Sequence, residues 1–291
     1  MTEAAIVAPS DRPRPELAAM RPSVWRRHGG LITGAGILAL ILLASIFANY
    51  LSPYDPLQQN LRNTMQLPGW DHPFGTDNFG RDIFSRVLHA AKLDLMIGFL
   101  CVLFPWILGS VLGGIAGYFG GIADTIIMRV VDTFSAFPFL VMVIGIIAIL
   151  GPGLISMYIA LTLAGWSMYA RIVRAEVLVV KKAEYVLAAR ALGFGHGRIM
   201  FRHILPNVIT PTIIFAMTDI VLVILSTTSL SFLGLGVRPP TAEWGIMISE
   251  ARGFILTAWW MVTLPGLAIV LVGLALSLFG DGVAKWLRER G

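Results

Sequence analysis

Side chains that could carry out chemistry are sparse in this sequence, and their spacing assembles no catalytic or metal site. The five histidines are scattered without an H-x-x-x-H pair, and Cys101 is the only cysteine. Metal sites need clustered ligands, so none is predicted. No lysine follows a glycine, which excludes the phosphate-binding loop G-x-x-x-x-G-K-[ST], and no G-x-S-x-G motif supplies a serine nucleophile. We therefore predict no catalytic residue and no cofactor bound by this chain.

The composition places most of the chain in lipid rather than water. Apolar residues make up 56% of the 291 positions and charged residues only 13%, and the mean hydropathy is +0.77. A soluble domain carries roughly 25% charged residues. The same numbers exclude a disordered chain, a collagen-like fibre and a disulfide-rich scaffold.

Several apolar stretches are long enough to cross a membrane as helices. They cover approximately residues 31–49, 95–117, 137–150, 155–169, 208–235 and 254–279. Their apolar residues are continuous and do not alternate with polar ones, which favours helices over a transmembrane β-barrel. The predicted fold class is an all-α integral membrane protein with about six transmembrane helices.

Positive charge is distributed unevenly around these spans. Most of the 22 lysines and arginines lie in the N-terminal arm, after the fourth span and at the C-terminus. Because positively charged flanks stay on the cytoplasmic side, we expect both termini in the cytoplasm and an uncleaved first helix. The net charge of +5 then reflects topology and contact with anionic lipid, so nucleic acid is not an expected partner.

Four glycines recur every four residues at the end of the second span and just beyond it. They are Gly109, Gly113, Gly117 and Gly121. Small residues at this spacing form a smooth helix face that lets another backbone approach closely. We expect this face to pack on a helix of the same chain or of a partner; a hinge is the alternative.

The segment between the fourth and fifth spans is too long for a simple connection. Good helix formers fill residues 182–192, Gly193 supplies a stop, and a second stretch over 198–205 is expected to end at Pro206, before the fifth span. Two interpretations follow from the residues alone. The segment is either a basic loop that only enforces topology or a docking surface for a soluble partner.

This segment resembles the EAA loop of importer-type ABC transporter permeases. The family has E-A-A-x-x-x-G, nine residues and I-x-L-P; here Ala188-Ala189-x-x-x-Gly193 is followed by nine residues and His203-x-Leu205-Pro206. Leu187 stands where the family has Glu and His203 where it has Ile, so the role of that Glu does not carry over. The resemblance implies an ATPase-coupling loop that includes Leu187, Ala188, Ala189, Gly193, Leu205 and Pro206. Small Ala188 and Ala189 would permit close docking.

Two other motifs resemble one branch of this family, the second or C-type permeases of dipeptide, oligopeptide and nickel importers. Residues 72–82 are similar to H-x-x-G-T-D-x-x-G-R-D, and residues 231–245 to S-F-L-G-L-G-x-x-x-P-x-x-E-W-G. The first motif contains Gly75, Thr76, Asp77, Gly80, Arg81 and Asp82. The resemblance covers about residues 30–282, and the C-terminus departs from it.

The resemblance implies a type I importer fold and a non-catalytic transport subunit in the bacterial inner membrane. In such importers two different permeases form the pathway, two ATPases carrying ATP and Mg²⁺ bind beneath them, and an extracytoplasmic solute-binding protein delivers the solute. The expected organisation is a cytoplasmic arm over 1–29, the first helix and an extracytoplasmic segment over 30–91, and the permease domain over 92–282. The coupling loop would lie at about 175–206 and a cytoplasmic tail at 283–291.

Asp219 is the only clear charge in the middle of a predicted span, where an ionised side chain is costly and usually faces a cavity or a partner. It could contact a peptide amine or a metal ion in the pathway, or be a hydrogen-bonded acid at a helix interface. The proline-rich segment before Arg86 could form an outer surface for the binding protein and partner permease. Alternatively, Asp77, Arg81 and Asp82 could form an internal ion-pair network.

Peptides are the expected cargo, with nickel as the main alternative within the family. An ion-coupled secondary carrier would show inverted repeats and several intramembrane charges, which makes it a distant alternative. An intramembrane enzyme or a purely structural anchor fits the patterned cytoplasmic segment less well.

Overall fold

The computed structural model describes residues 24–288. Most of the predicted cytoplasmic arm (residues 1–23) and the end of the predicted tail (residues 289–291) lie outside the described residues. The described chain folds almost entirely into α-helices. They are α1 Val24–Ile46, α2 Ala48–Leu51, α3 Ile83–Phe119, α4 Gly121–Ser135, α5 Phe139–Leu150, α6 Leu154–Val180, α7 Glu184–Ala191, α8 His196–Ile199, α9 Leu205–Phe232, α10 Trp244–Ala251 and α11 Trp260–Arg288.

Each predicted apolar stretch overlaps one long helix or one pair of helices. By length and composition, the segments Gly29–Ile46, Ile83–Phe119, His196–Phe232 and Trp260–Leu287 can each cross a membrane. The bent pair α4 and α5 would be a fifth span, with a 90° change of direction at the break before Pro138. The 27-residue α6 packs lengthwise on α3 and contains the remaining predicted stretch. It is less apolar because its second half carries Arg171, Arg174 and Glu176.

The helices extend beyond their apolar centres, which shifts several predicted boundaries. The Asp82 side chain accepts a hydrogen bond from the Ser85 backbone N–H at 2.7 Å, and this cap starts α3 at Ile83 instead of near residue 95. The predicted boundary between residues 91 and 92 therefore falls inside a helix. At the other end, α11 continues to Arg288, so the predicted tail begins within the last helix.

The α3 and α6 helices pack backbone to backbone over several turns. A Cβ atom at Gly109 or Gly113 would overlap the backbone of α6 near Ala170, and one at Gly117 would lie 2.9 Å from Val177 Cβ. Only glycine at these positions lets the two backbones come so close. These residues thus pack on a helix of the same chain.

Gly121 does not share this face, contrary to the sequence expectation. Gly120, with φ of +70°, ends α3, and Gly121, with φ of +54°, begins α4 in a new direction. A Cβ atom at Gly121 would meet nothing within 4 Å. The four-residue spacing therefore ends at Gly117, because the helix that carries it ends at Phe119.

Pro206 does not end a helix, which corrects a second expectation. Residues His196–Phe232 form one continuous helical segment, with a π-helical turn at Met200–Ile204 immediately before Pro206. A proline in a regular α-helix clashes with the carbonyl four residues earlier. The wider π turn relieves that clash, and Pro206 occupies the first turn of α9, where its missing N–H costs little.

Candidate functional site

The segment after α6, which the sequence predicts to be cytoplasmic, contains a short helix that ends in a glycine turn. Gly193 has φ of +77°, in the left-handed region. Its backbone N–H donates to the Arg190 carbonyl at 2.9 Å, and the Phe194 N–H donates to the Ala189 carbonyl at 3.1 Å. This pair of hydrogen bonds is a Schellman motif, which fixes the direction of the chain leaving α7.

The two faces of α7 have different surroundings. Val186 and Ala189 are buried against an apolar cluster that includes Val173, Ile199 and Val208. The opposite side exposes apolar surface to solvent: Tyr185 is 47% exposed, Leu187 50% and Leu192 74%. Ala188 is also exposed. Of the two alanines expected at a docking surface, only Ala188 lies on the free side; the small size of Ala189 serves packing within this chain.

Polar contacts connect the same segment to the end of α3. Lys181 Nζ donates to the Gly117 carbonyl at 2.7 Å, and the Tyr118 hydroxyl shares a 2.9 Å hydrogen bond with His196 Nδ1. The Arg190 guanidinium lies over the Tyr118 ring, 5.4 Å from its centroid. A force applied to α7 would therefore reach the transmembrane helices directly.

His203, which stands where the family has isoleucine, packs its imidazole ring against neighbouring aromatic rings. Its ring stacks on Phe194, with centroids 6.1 Å apart, and a tilted contact joins it to Tyr185 at 6.5 Å. His203 Nε2 is buried without a hydrogen-bond partner in the described part of the chain. Leu205 is half-buried and Pro206 exposed at the start of α9.

A cavity of about 680 Å³ lies between α4, α5, α6 and α9, and Asp219 is part of its wall. The buried Tyr169 of α6 donates its hydroxyl hydrogen to Asp219 Oδ2 at 2.7 Å. This is the only hydrogen bond of the Asp219 carboxyl among the described residues, so its other oxygen can accept from a ligand. The remaining wall is mostly apolar and includes Phe137 and Phe215. Tyr169 was not identified from the sequence, because only the fold brings it next to Asp219.

The motif after the first span forms an internal ion-pair network. Arg81, which is 2% exposed, bonds Asp77 Oδ2 through Nε at 2.5 Å and Glu250 Oε2 of α10 through Nη2 at 2.7 Å. Asp82 Oδ1 is 2.9 Å from His72 Nδ1. Thr76 is buried, and its hydroxyl bonds the Asn63 carbonyl.

The two glycines of this motif permit tight turns. Gly75 and Gly80 have φ of +73° and +71°, and a Cβ atom at Gly80 would overlap the Asn60 carbonyl. The motif therefore folds the segment between α2 and α3 onto α3 and α10.

Two buried carboxyl side chains, Glu243 and Asp94, join the start of α10 to α3. Glu243 accepts from the backbone N–H groups of Gly245 and Ile246 at 2.9 and 2.8 Å, and Asp94 accepts from the Trp244 N–H at 3.1 Å. Burial raises the pKa of Glu243 above the ordinary glutamate value, because ionisation is costly away from water. Asp94 precedes the predicted span of residues 95–117, but α3 starts early enough to include it.

Two known protein families match parts of this chain. Residues 109–290 match the family described as a binding-protein-dependent transport system inner membrane component, and residues 23–68 match the N-terminal transmembrane domain of oligopeptide transport permease C. The chain belongs to this permease family. The permease is accordingly a multi-pass integral protein of the inner membrane, and its family is that of a transport subunit.

Curated relatives resemble the permease along most of its length. The dipeptide transport permease DppC of Alkalihalophilus pseudofirmus is 40% identical over 93% of this chain and 91% of its own length. The di/tripeptide transport permease DppC of Pseudomonas aeruginosa is 41% identical over 89% and 88%. The glutathione transport permease GsiD of Pectobacterium atrosepticum is 40% identical over 89% and 87%.

Solved structures share the fold of the permease at low sequence identity. An inward-facing structure of the MetNI methionine ABC transporter matches 69% of this chain and 96% of its own, with a TM-score of 0.56 at 20% identity. An amino acid ABC transporter matches 71% and 94%, with a TM-score of 0.54 at 16% identity. The helix arrangement is thus that of ABC importer permeases.

Proposed function

We propose that this permease forms the translocation pathway of an ATP-driven importer for di- or oligopeptides. The supporting observation is the identity of about 40%, over roughly nine-tenths of the chain, to permeases named for peptide transport. A second, different permease would complete the pathway, and an extracytoplasmic binding protein would deliver the peptide. ATP and Mg²⁺ would reside on two separate ATPase subunits.

The exposed side of α7 would be the ATPase docking surface. Leu187, Ala188 and Leu192 present apolar and small side chains to solvent there, which suits insertion into a groove of another protein. The opposite side of α7 is bound to α3, α6 and α9 through its buried cluster. Movement of the ATPases would therefore be transmitted to these helices.

The predicted coupling loop, at about 175–206, would end within the first turn of a membrane helix. Leu205 and Pro206 begin α9 directly beyond the π turn, so displacement of the loop would tilt α9. Gly109, Gly113 and Gly117 would hold α3 and α6 together during this movement, because their contact leaves no space for repacking.

Asp219 would bind the amino terminus of a peptide in the cavity. Its free carboxylate oxygen faces a mostly apolar wall, in which an ammonium group would offset the cost of burying the negative charge. Apolar peptide side chains would contact the surrounding aromatic residues.

The extracytoplasmic segment would contact the binding protein or the partner permease. It exposes large apolar side chains, with Leu61 72% and Leu67 67% exposed and Trp70 completely exposed. The buried Arg81 network holds the segment that carries them against α3 and α10. Exposed apolar groups on a fixed support are typical of an interaction surface.

Purification and uptake together test the proposal. The tagged permease, extracted in mild detergent, is expected to retain a second permease and ATPases identified by mass spectrometry. Vesicles containing this complex should take up a labelled dipeptide only with ATP and the binding protein. Uptake of nickel in place of dipeptide would make nickel the cargo and refute peptide transport. Transport by the chain alone under an ion gradient would refute the importer function.

A further inference from the structure

The cavity lined by Asp219 is also lined by a positively charged side chain, that of Arg171. Arg171 lies on α6 two residues after Tyr169, the hydrogen-bond donor to Asp219, and its side chain lines the same cavity. The ion pair that Arg171 makes among the described residues is with Asp132, at 3.3 Å, and not with Asp219. A carboxylate and a guanidinium thus face one cavity without neutralising each other.

Most of the hydrogen-bonding capacity of Arg171 is free. Only its Nη2 nitrogen makes hydrogen bonds in the described chain, to Asp132 Oδ1 at 3.3 Å and to Ser135 Oγ at 3.1 Å. The side chains of Arg171 and Asp132 are 51% and 62% exposed, so their ion pair is weak. A guanidinium offers five N–H donors in a planar fork that fits a carboxylate through two parallel hydrogen bonds.

We propose that the cavity recognises short peptides as zwitterions, with Asp219 binding the terminal ammonium and Arg171 the terminal carboxylate. This inference rests on the proposed peptide transport and adds the chemical class that the pathway accepts. A peptide with both termini free would supply one opposite charge to each group. A C-terminal amide would leave Arg171 without its anion, and an N-acetyl group would leave Asp219 without its cation.

The relative positions of the two charges favour short peptides. Arg171 is two residues from Tyr169 on the same helix, a rise of about 3 Å along the axis, and Asp219 and Arg171 line one cavity of about 680 Å³. An extended chain covers roughly 3.5 Å per residue, which gives about 7 Å for a dipeptide and about 10 Å for a tripeptide. The apolar wall formed by Phe137, Phe215 and their neighbours would contact the side chains between the termini.

Photolabelling of the intact complex tests this inference without relying on the specificity of the binding protein. The complex with its partner subunits is placed in nanodiscs, without binding protein, and labelled with the dipeptide alanyl-photoleucine. Unlabelled Ala-Leu, Ala-Leu amide and N-acetyl-Ala-Leu are then used as competitors. We expect label at residues 137–142 or 215–225, and competition by Ala-Leu at concentrations about tenfold or more below those of either analogue, since a charged hydrogen bond is lost in each.

Two matched variants assign the termini. In Arg171→Gln, Ala-Leu and its amide should compete equally, while the N-acetyl analogue stays weak; Asp219→Asn should give the converse. Arg129→Gln removes an exposed arginine of α4 outside the cavity and should leave all ratios unchanged. Equal competition by all three competitors in the unaltered complex, label elsewhere, or no label with probe at 10 mM would overturn the inference. Uptake of dipeptide by the same complex in vesicles, with ATP and the binding protein, separates this failure from failure of the proposed function.

Discussion

Replacing Gly193 with aspartate should uncouple ATP hydrolysis from transport while leaving the permease folded in the membrane. Gly193 closes the Schellman motif at the end of α7, with φ of +77° and open space where a Cβ atom would point. The side chain would therefore meet no neighbour, and the whole cost lies in the backbone conformation and in the new charge. Both costs fall on the last turn of α7, next to the exposed surface proposed for ATPase docking.

The size of this effect follows from two small terms. An L-residue in the left-handed region costs roughly 1–2 kcal/mol, with aspartate near the lower limit. A negative charge at a helix C-terminus adds about 0.3–1 kcal/mol, because it repels the carbonyl end of the helix. The sum is about 1.5–2 kcal/mol, which lowers the ratio of correctly capped to frayed α7 by roughly 10- to 30-fold. An eight-residue helix has little stability of its own to absorb this loss.

Vesicles with the reconstituted complex allow the two activities to be measured separately. In Gly193→Asp, we expect peptide uptake to fall about tenfold while ATP hydrolysis continues. Gly193→Asn should retain most uptake, because asparagine tolerates the left-handed conformation and adds no charge. Gly195→Asp is the matched control: Gly195 has φ of −64° at the start of α8, where aspartate is a favourable N-cap. Normal uptake in Gly193→Asp, or equal losses in both aspartate variants, would refute the reasoning from backbone conformation.

Three further predictions concern the transmembrane part. Gly113→Ala should lower the free energy of unfolding by about 1–3 kcal/mol, and with it the thermal midpoint, because the methyl group would overlap Ala170. Gly114→Ala has free space for its methyl group and should leave the midpoint unchanged. Equal midpoints for the two variants would contradict the close α3–α6 contact. Asp219→Asn should reduce peptide uptake without loss of assembled complex, and unchanged affinity and rate would remove Asp219 from the pathway. The raised pKa of Glu243 means that the folded chain binds the proton of this carboxyl group more tightly than the unfolded chain does. Stability should therefore fall as pH rises from the ordinary glutamate pKa through the raised value. Thermal unfolding of Glu243→Gln should show a flatter dependence over that range, and a parallel pH profile would contradict a buried neutral acid.

The helical class and the approximate positions of the spans were predictable because lipid imposes a strong compositional pattern. Helix ends were less predictable, since they depend on caps and not on hydropathy. Asp82 starts α3 well before its apolar centre, and this early start brings Asp94 into the helix. Composition alone marks only the part of a helix that lies in lipid, so a prediction from composition leaves out the polar helix ends.

Residues that act through tertiary contact could not be found from spacing. Tyr169 and Glu250 lie 50 and 169 positions from the residues that they contact, Asp219 and Arg81. The role of Ala189 was misread for a related reason: a motif gives the order of residues along α7 but not which side of the helix is already covered by the same chain. The π turn before Pro206 likewise depends on how the chain accommodates a proline, for which the sequence offers more than one solution.

The unequal packing of α3 against α6 and against the first half of α9 indicates which of these helices can move. Against α6, glycines bring the backbones into direct contact, so this pair would behave as a fixed frame. Between α3 and the first half of α9 lies a cavity of about 470 Å³, with Trp106 Nε1 and Ser110 Oγ buried and without partners in the described chain. A loosely packed interface resists displacement less than a filled one.

That contrast gives α9 the properties of a lever between the docking surface and the cavity. The helical segment from His196 to Asp219 is about 35 Å long at 1.5 Å per residue. Ile224 of α9 packs closely against Gly98 of α3, so a tilt of roughly 10° would pivot near Ile224. It would shift the loosely packed start of α9 by about 5 Å and the Asp219 backbone by about 1 Å. Because Tyr169 is on the fixed frame, such a tilt would also lengthen its hydrogen bond to Asp219 and change the distance from Asp219 to Arg171. The same movement that follows ATPase closure would then weaken the binding of a peptide held by both termini, without a separate release step.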